Sequence, residues 1–163
     1  MAIYEATIPS AWPADDTFGY LAVFSHAEEW DPGVLSGEAL DPGPVRPGSR
    51  FRLVVPFLGR NLPLTYQVTE FSSAERRVVL DATSTLLRAR DVITVLPASA
   101  GGQATAVSYQ AEVTLRGPLR LLDPVLTKGF GKVGDRAANG LRARLATEPG
   151  ADTPDRARKT TSS

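Results

Sequence analysis

The chain contains no cysteine, which removes disulfides, thiolate nucleophiles and zinc–thiolate sites from consideration. It has a single histidine, His26, so no site needing two or more imidazoles can form within one chain. Charge of one sign is not in excess either, since 18 Lys plus Arg balance 18 Asp plus Glu. A nucleic-acid module normally carries a basic excess on one face, so no nucleic-acid partner is expected. No stretch approaches the roughly 20 consecutive apolar residues that span a bilayer, so no membrane insertion is expected. The opening residues Met1-Ala2-Ile3-Tyr4-Glu5 lack the basic region and long apolar run of a secretory leader. The expected location is therefore cytoplasmic. There is no G-x-S-x-G elbow, and neither Gly101-Gly102 nor Gly129-Phe130-Gly131 leads into the Lys-Ser/Thr of a phosphate loop.

What is present is the patterning of one folded unit. Ile3 to Ile8 alternates loosely and ends at Pro9, which suits a short strand. Pro13 with Asp15 and Asp16 marks a helix start, and Phe18, Leu21 and Ala22 give a short amphipathic stripe. Ser25 can cap a second short helix over His26 to Trp30, which Asp31-Pro32-Gly33 ends. Period two then takes over. Val34 to Leu40 reads as a strand, and Phe51, Leu53, Val55 and Phe57 share one face of the next. After a turn at Gly59-Arg60-Asn61, Leu62, Leu64, Tyr66 and Val68 alternate with polar residues. Val78, Leu80 and Ala82 follow beyond the turn Ser72 to Glu75, then Leu87 to Leu96, stopped by Pro97 and a loop in which Gly101-Gly102 permits reversal. Val107, Tyr109, Ala111, Val113 and Leu115 form the cleanest alternation of all. Short connections between consecutive strands specify an antiparallel meander.

Past Arg116-Gly117 the period becomes 3.6. Leu119, Leu122, Leu126, Phe130, Val133, Ala137, Leu141 and Leu145 define one apolar helical face over about seven turns. Pro124 kinks or restarts the helix near Asp123. Gly129, Gly131, Gly134 and Gly140 each cost about 1 kcal/mol against alanine in such a helix. They imply close backbone approach or space left beside the helix. Glu148 to Ser163 is small, polar and proline-containing, and reads as a disordered tail. The expected organisation is thus one α+β domain over residues 1–146 and a tail over 147–163.

The order of elements, together with three segments, resembles the START-like (SRPBCC) superfamily. The segments are Phe18 to Gly33, ending in Glu29-Trp30-Asp31-Pro32-Gly33; Arg90-Asp91-Val92-Ile93-Thr94-Val95-Leu96-Pro97; and Leu115 to Leu119, running through Asp123-Pro124 to Gly134-Asp135-Arg136-Ala137. They look like the polyketide cyclase/dehydrase and lipid-transport branch. That resemblance implies a helix-grip fold: a curved antiparallel sheet of about seven strands wrapped around a long C-terminal helix, with two short helices after strand 1. It also implies a cavity between sheet and helix, though fold kinship does not by itself license an activity.

With the helix across the concave face, the inward set contains the expected ligand-binding residues. These are Phe51, Leu53, Val55, Tyr66, Val68, Leu80, Ala82, Ile93, Tyr109 and Ala111 of the sheet, with Leu126 and Phe130 of the helix. Leu122 and Val133 would also cap that set. Apolar alternation alone does not distinguish filled core from cavity wall. Tyr66 and Tyr109 read as core tyrosines or as groups that orient a ligand carbonyl or hydroxyl. Asp91 is the one candidate catalytic group, because it shares parity with Ile93 and Val95. Buried without a partner, its pKa would rise into the range of a general acid or base. The bland reading pairs it with Arg88 or Arg90, or lets a bulge turn it outward. His26, beside Glu28 and Glu29, reads as exposed, and Trp30 as an anchor against the long helix. Asp31-Pro32-Gly33 is expected to shape one mouth. Asp135, Arg136, Arg142 and Arg144 read as the solvated face of the helix, or as a surface for an acidic partner.

The reading favoured by these features is binding of a hydrophobic small molecule, lipid-like or polyketide-like, without cofactor or metal, by a monomer or homodimer. A cyclase or dehydratase acting in the same cavity is the alternative, followed by a ligand-free interaction or regulatory module.

Overall fold

The structure, a computed structural model, describes residues 1–99 and 105–147. The expected reversal at Gly101-Gly102 and the polar tail from Glu148 lie outside the described residues. Strand β1 (Ala2–Ser10) leads into α1 (Ala14–Ala22), a 3-10 turn (Phe24–His26) and α2 (Ala27–Trp30). The meander follows as β2 (Ser36–Ala39), β3 (Arg50–Phe57), β4 (Arg60–Ser72), β5 (Arg77–Thr83), β6 (Leu87–Leu96) and β7 (Thr105–Leu115). A second 3-10 segment (Gly117–Leu122) then feeds α3 (Asp123–Ala146). The seven strands form one antiparallel sheet in the order β1-β7-β6-β5-β4-β3-β2. Every pair but one is sequential; β1 returns to the far side of β7, which makes β1 and β2 the edges. The expected helix-grip arrangement is the one adopted.

Local chemistry explains the elements and several departures from expectation. β1 runs on through Pro9, which an edge strand tolerates because proline's missing N–H faces no partner. β2 is confined to Ser36–Ala39, shorter than the Val34–Leu40 stretch its residues suggest. The β3–β4 reversal is centred on Leu58 and Gly59, at φ 49° and 74°, not on Gly59-Arg60-Asn61. Two consecutive left-handed residues are what a tight hairpin with the right twist requires. Ser25 lies inside the 3-10 turn, and no side chain caps α2. Pro124 restarts the chain as expected: the 3-10 segment ends at Leu122 and α3 begins at Asp123.

Inner-face parity holds across the sheet, and the register sorts it into rows. One row runs Tyr4, Ala111, Asp91, Leu80, Val68, and the next runs Ala2, Val113, Ala89, Ala82, Tyr66, Phe51. On the other side of the Asp91 row stand Tyr109, Ile93 and Val78, followed by Ile8, Val107 and Val95. That second side is closed core. Ile93, Val78, Ile8, Val107 and Val95 are buried there with Phe18 and Leu21 of α1 and with Leu141 and Leu145 of α3.

α3 packs along β1 and against α2, and its two halves differ. The C-terminal half buries Gly134, Ala137, Ala138, Leu141 and Leu145. In the N-terminal half Leu126 and Phe130 are half-buried and Val133 is 49% exposed, while Leu122, just before the helix, is 40% exposed. They do not seal the concave face as their spacing suggested. Both readings of the glycines are realised in one helix. A methyl group at Gly140 would collide with the Trp30 carbonyl, and one at Gly134 with the Tyr4 ring. At Gly129 and Gly131 there is open space instead.

Candidate functional site

Because the N-terminal half of α3 stands off the sheet, a cavity of about 390 Å³ remains beneath it. Its floor is the inner face of the sheet on the open side of the Asp91 row: Leu53, Val55, Leu64, Leu87, Ala89 and Val113. Helix residues Leu126, Phe130 and Val133 form one wall, and Phe24, Trp30 and the loop Asp31-Pro32-Gly33-Val34 form the opposite one. Small side chains make the room. Ala89 on β6 and Ala111 on β7 are the alanines of the floor.

Seven of the twelve expected binding residues line this space: Leu53, Val55, Tyr66, Tyr109, Ala111, Leu126 and Phe130. The other five are packed core away from the lining. Ile93 lies on the closed side of the sheet, where α1 packs against β6. Leu80 and Val68 are 0% and 1% exposed, completing the core around Phe18 and Phe24, with Ala82 beside them. Phe51 is covered where the 3-10 turn meets β3. Parity put the ten sheet residues among them on the concave face; α1 and the 3-10 turn decided which half of that face stays open.

Asp91 sits on the boundary between the two halves and points into the cavity, with only 5% of it exposed. It makes neither of the ion pairs open to it in the sequence. Arg90 belongs to the opposite face of β6, where it bonds Asp81 at 3.1 Å, and Arg88 is exposed. No bulge turns β6, whose register with both neighbours is continuous. The Tyr109 hydroxyl donates to Asp91 Oδ1 at 2.8 Å. Burial pushes the Asp91 carboxyl up to about 7; the Tyr109 and Tyr66 hydroxyls pull it back, and the negative charges of Asp31 and Asp81 raise it further. Burial likewise holds both phenols well above their ordinary range, with Asp91 adding to it. Asp31, the second carboxylate of the lining, is raised by burial and lowered by the Gly33 N–H it accepts at 2.7 Å.

Aromatic rings hold these groups in place. Phe24 stacks on Tyr66 at 4.9 Å between centroids, and Trp30 meets Tyr109 edge-on at 6.0 Å. Trp30 thus both anchors α2 at Gly140 and walls the cavity. His26 is not exposed as expected. It is half-buried, stacks on Tyr20, and its Nδ1 lies 2.8 Å from the Tyr20 carbonyl oxygen, away from the lining. On the polar face of α3, Asp135, Arg136 and Arg142 are exposed as expected, and Arg144 is half-buried. Asp135 accepts the Tyr4 hydroxyl at 2.9 Å, and Arg144 lies 5.1 Å from the centroids of both Trp12 and Tyr20. Arg136 lines the cavity but is exposed. Two features were not singled out from the sequence: Asp31 as a lining carboxylate, and Ala89 of the floor. Asp-Pro-Gly reads first as a turn, and a small residue between Arg88 and Arg90 adds little to an apolar pattern.

Among the described residues, no group of three or more His, Asp or Glu side chains is arranged to hold a metal ion. Nor, among the described residues, is any helix long and apolar enough to cross a membrane.

Residues 1–146 match the family described as polyketide cyclase / dehydrase and lipid transport. The chain belongs to that family. A search of curated proteins found no match. Among solved structures, a START superfamily protein from Mycobacterium smegmatis superposes with a TM-score of 0.67 at 16% identity, covering 90% of this chain and 98% of that one. A protein from Thermus thermophilus gives 0.69 at 18%, covering 89% and 96%. The Zhui aromatase/cyclase from Streptomyces sp. R1128 gives 0.65 at 18%, covering 91% and 97%. At such identities the likeness is one of fold: this family member has the helix-grip fold of the START neighbour.

Proposed function

We propose that this family member binds a hydrophobic small molecule, lipid-like or polyketide-like, in the cavity between the sheet and α3. The observation that carries the reading is a cavity of about 390 Å³ with largely apolar walls and a single buried polar end at Asp91 and Tyr109. Burying ligand surface there contributes about 25 cal/mol per Å² of apolar area before entropic costs. The polar end fixes which way round the ligand lies. Ala111→Trp places an indole in the open space from a half-buried floor position. Titration with a neutral solvatochromic dye such as Nile red is expected to give saturable binding in the wild type and a loss of at least tenfold in the variant. Equal dye binding by both proteins, with both folded by circular dichroism, would remove this assignment.

A second reading, catalysis of cyclisation or dehydration on a poly-ketone chain, is favoured by one observation. The Asp91 carboxyl titrates near 7, where it both takes and returns a proton. In cyclisation Asp91 as base would remove a proton from the carbon between two carbonyls, that carbon would bond to a distant carbonyl carbon, and the proton would pass to the alkoxide so formed. In dehydration a second proton from the same carbon would go to the departing hydroxyl, leaving a C=C bond and water, while the Tyr66 hydroxyl holds a carbonyl oxygen. Undiminished turnover of a poly-β-ketone thioester by Asp91→Asn would discard it.

A further inference from the structure

Asp91 is a carboxyl group at the inner end of an apolar cavity, and its electrostatic surroundings are lopsided. Among the described residues it has no ion-pair partner. The charges that act on it, Asp31 and Asp81, have its own sign. Arg136 is the one basic residue of the lining, and it is exposed to solvent, which screens it. Tyr109 takes one acceptor position on Oδ1, whereas a carboxylate offers about four. The rings of Phe24, Trp30, Tyr66 and Tyr109 line the same cavity.

A buried carboxylate without a counter-charge is costly, and a ligand that supplies the missing cation relieves that cost. Aromatic rings add to the same preference, because a cation is attracted to their faces. A carboxylate ligand meets the reverse situation, facing Asp91 and Asp31 together. A neutral alcohol fills the same volume and donates one hydrogen bond but brings no charge.

Resting on the binding reading above, we infer that the cavity selects an apolar molecule that carries a protonated amine, with the ammonium group seated against Asp91 among the aromatic rings. The preference belongs to the head group; the apolar remainder occupies the space under Leu126 and Phe130.

A matched series separates head group from chain: decylamine, decanol and decanoate, titrated calorimetrically at pH 7.5 below their critical micelle concentrations. Decylamine is expected to bind at least tenfold more tightly than either of the others. Asp91→Asn is expected to remove that advantage, bringing decylamine to within about threefold of decanol measured on the same variant. Decanol or decanoate binding as tightly as decylamine to the wild type overturns the inference, with no variant needed, and leaves hydrophobic binding standing. An amine advantage that persists in Asp91→Asn overturns it too. Failure of all three compounds to bind overturns both readings together.

Discussion

Tyr109 reaches diagonally from β7 to Asp91 on β6 and donates a 2.8 Å hydrogen bond to its carboxylate, which places a polar pair at the line where packed core gives way to open cavity. On one side of that line Ile93 is 1% exposed, and on the other Ala89 floors the cavity. The pair therefore meets both a dry environment and a ligand-sized space, and its titration has consequences for stability as well as binding.

In the folded protein the Asp91 carboxyl titrates near 7, well above an unfolded carboxylate near 3.8. The native state therefore holds a proton that the unfolded chain has lost, and stability falls as pH rises between about 4 and 7. Asp91→Asn removes that slope. The stability difference between wild type and variant is expected to move in the variant's favour by on the order of a few kcal/mol between pH 4 and pH 8. Tyr109→Phe takes away a donor to the charged form and shifts the window upward. Urea denaturation at pH 4, 6 and 8 measures both; identical slopes in wild type and Asp91→Asn would contradict the burial argument.

Two glycines of one helix should respond oppositely to alanine. At Gly129 the added methyl meets nothing, so helix propensity stabilises the variant by up to about 1 kcal/mol. At Gly140 it meets the Trp30 carbonyl, and forcing α2 away from α3 outweighs that gain, costing about 1–3 kcal/mol. Thermal melts of Gly129→Ala and Gly140→Ala, each against wild type, give the signs directly.

Where a bulky residue is introduced decides whether it blocks or unfolds. Leu80 is fully buried among core neighbours, so Leu80→Trp overpacks and is expected to destabilise by about 1–3 kcal/mol or more. Ala111→Trp enters open space and should leave the denaturation midpoint within about 1 kcal/mol of wild type. Midpoints in the reverse order would mean the boundary between core and cavity lies elsewhere.

Leu58 occupies a left-handed conformation at φ 49° beside Gly59 in the β3–β4 hairpin, with its side chain 63% exposed. Asparagine tolerates that conformation far better than leucine. Leu58→Asn is expected to stabilise by about 0.5–1 kcal/mol, read as a higher urea midpoint at unchanged slope.

Much of this architecture is legible because periodicity reports directly on faces. Val107 to Leu115 alternates because one face of β7 is buried, and the 3.6-residue period holds from Leu126 to Leu145 of α3, whereas Leu119 and Leu122 fall in the 3-10 segment before it. The fate of Asp91 was partly legible too. Arg90 and Arg88 are one and three positions from it on β6, so strand parity sends their side chains to the other face. A regular strand already argued against those ion pairs.

By itself the sequence determined the α+β class, the meander, the terminal helix, and which residues face inward, since each follows from local period and short connections. Only the tertiary structure decided that α1 and the 3-10 turn cover one half of the concave face while the N-terminal half of α3 stands off the other. That division turns five of twelve inward residues into core and seven into wall, and leaves Asp91 buried at their junction. The physical reason is that apolar side chains carry the same pattern whether their neighbours are atoms or empty space. What lies above them is set by elements distant in sequence.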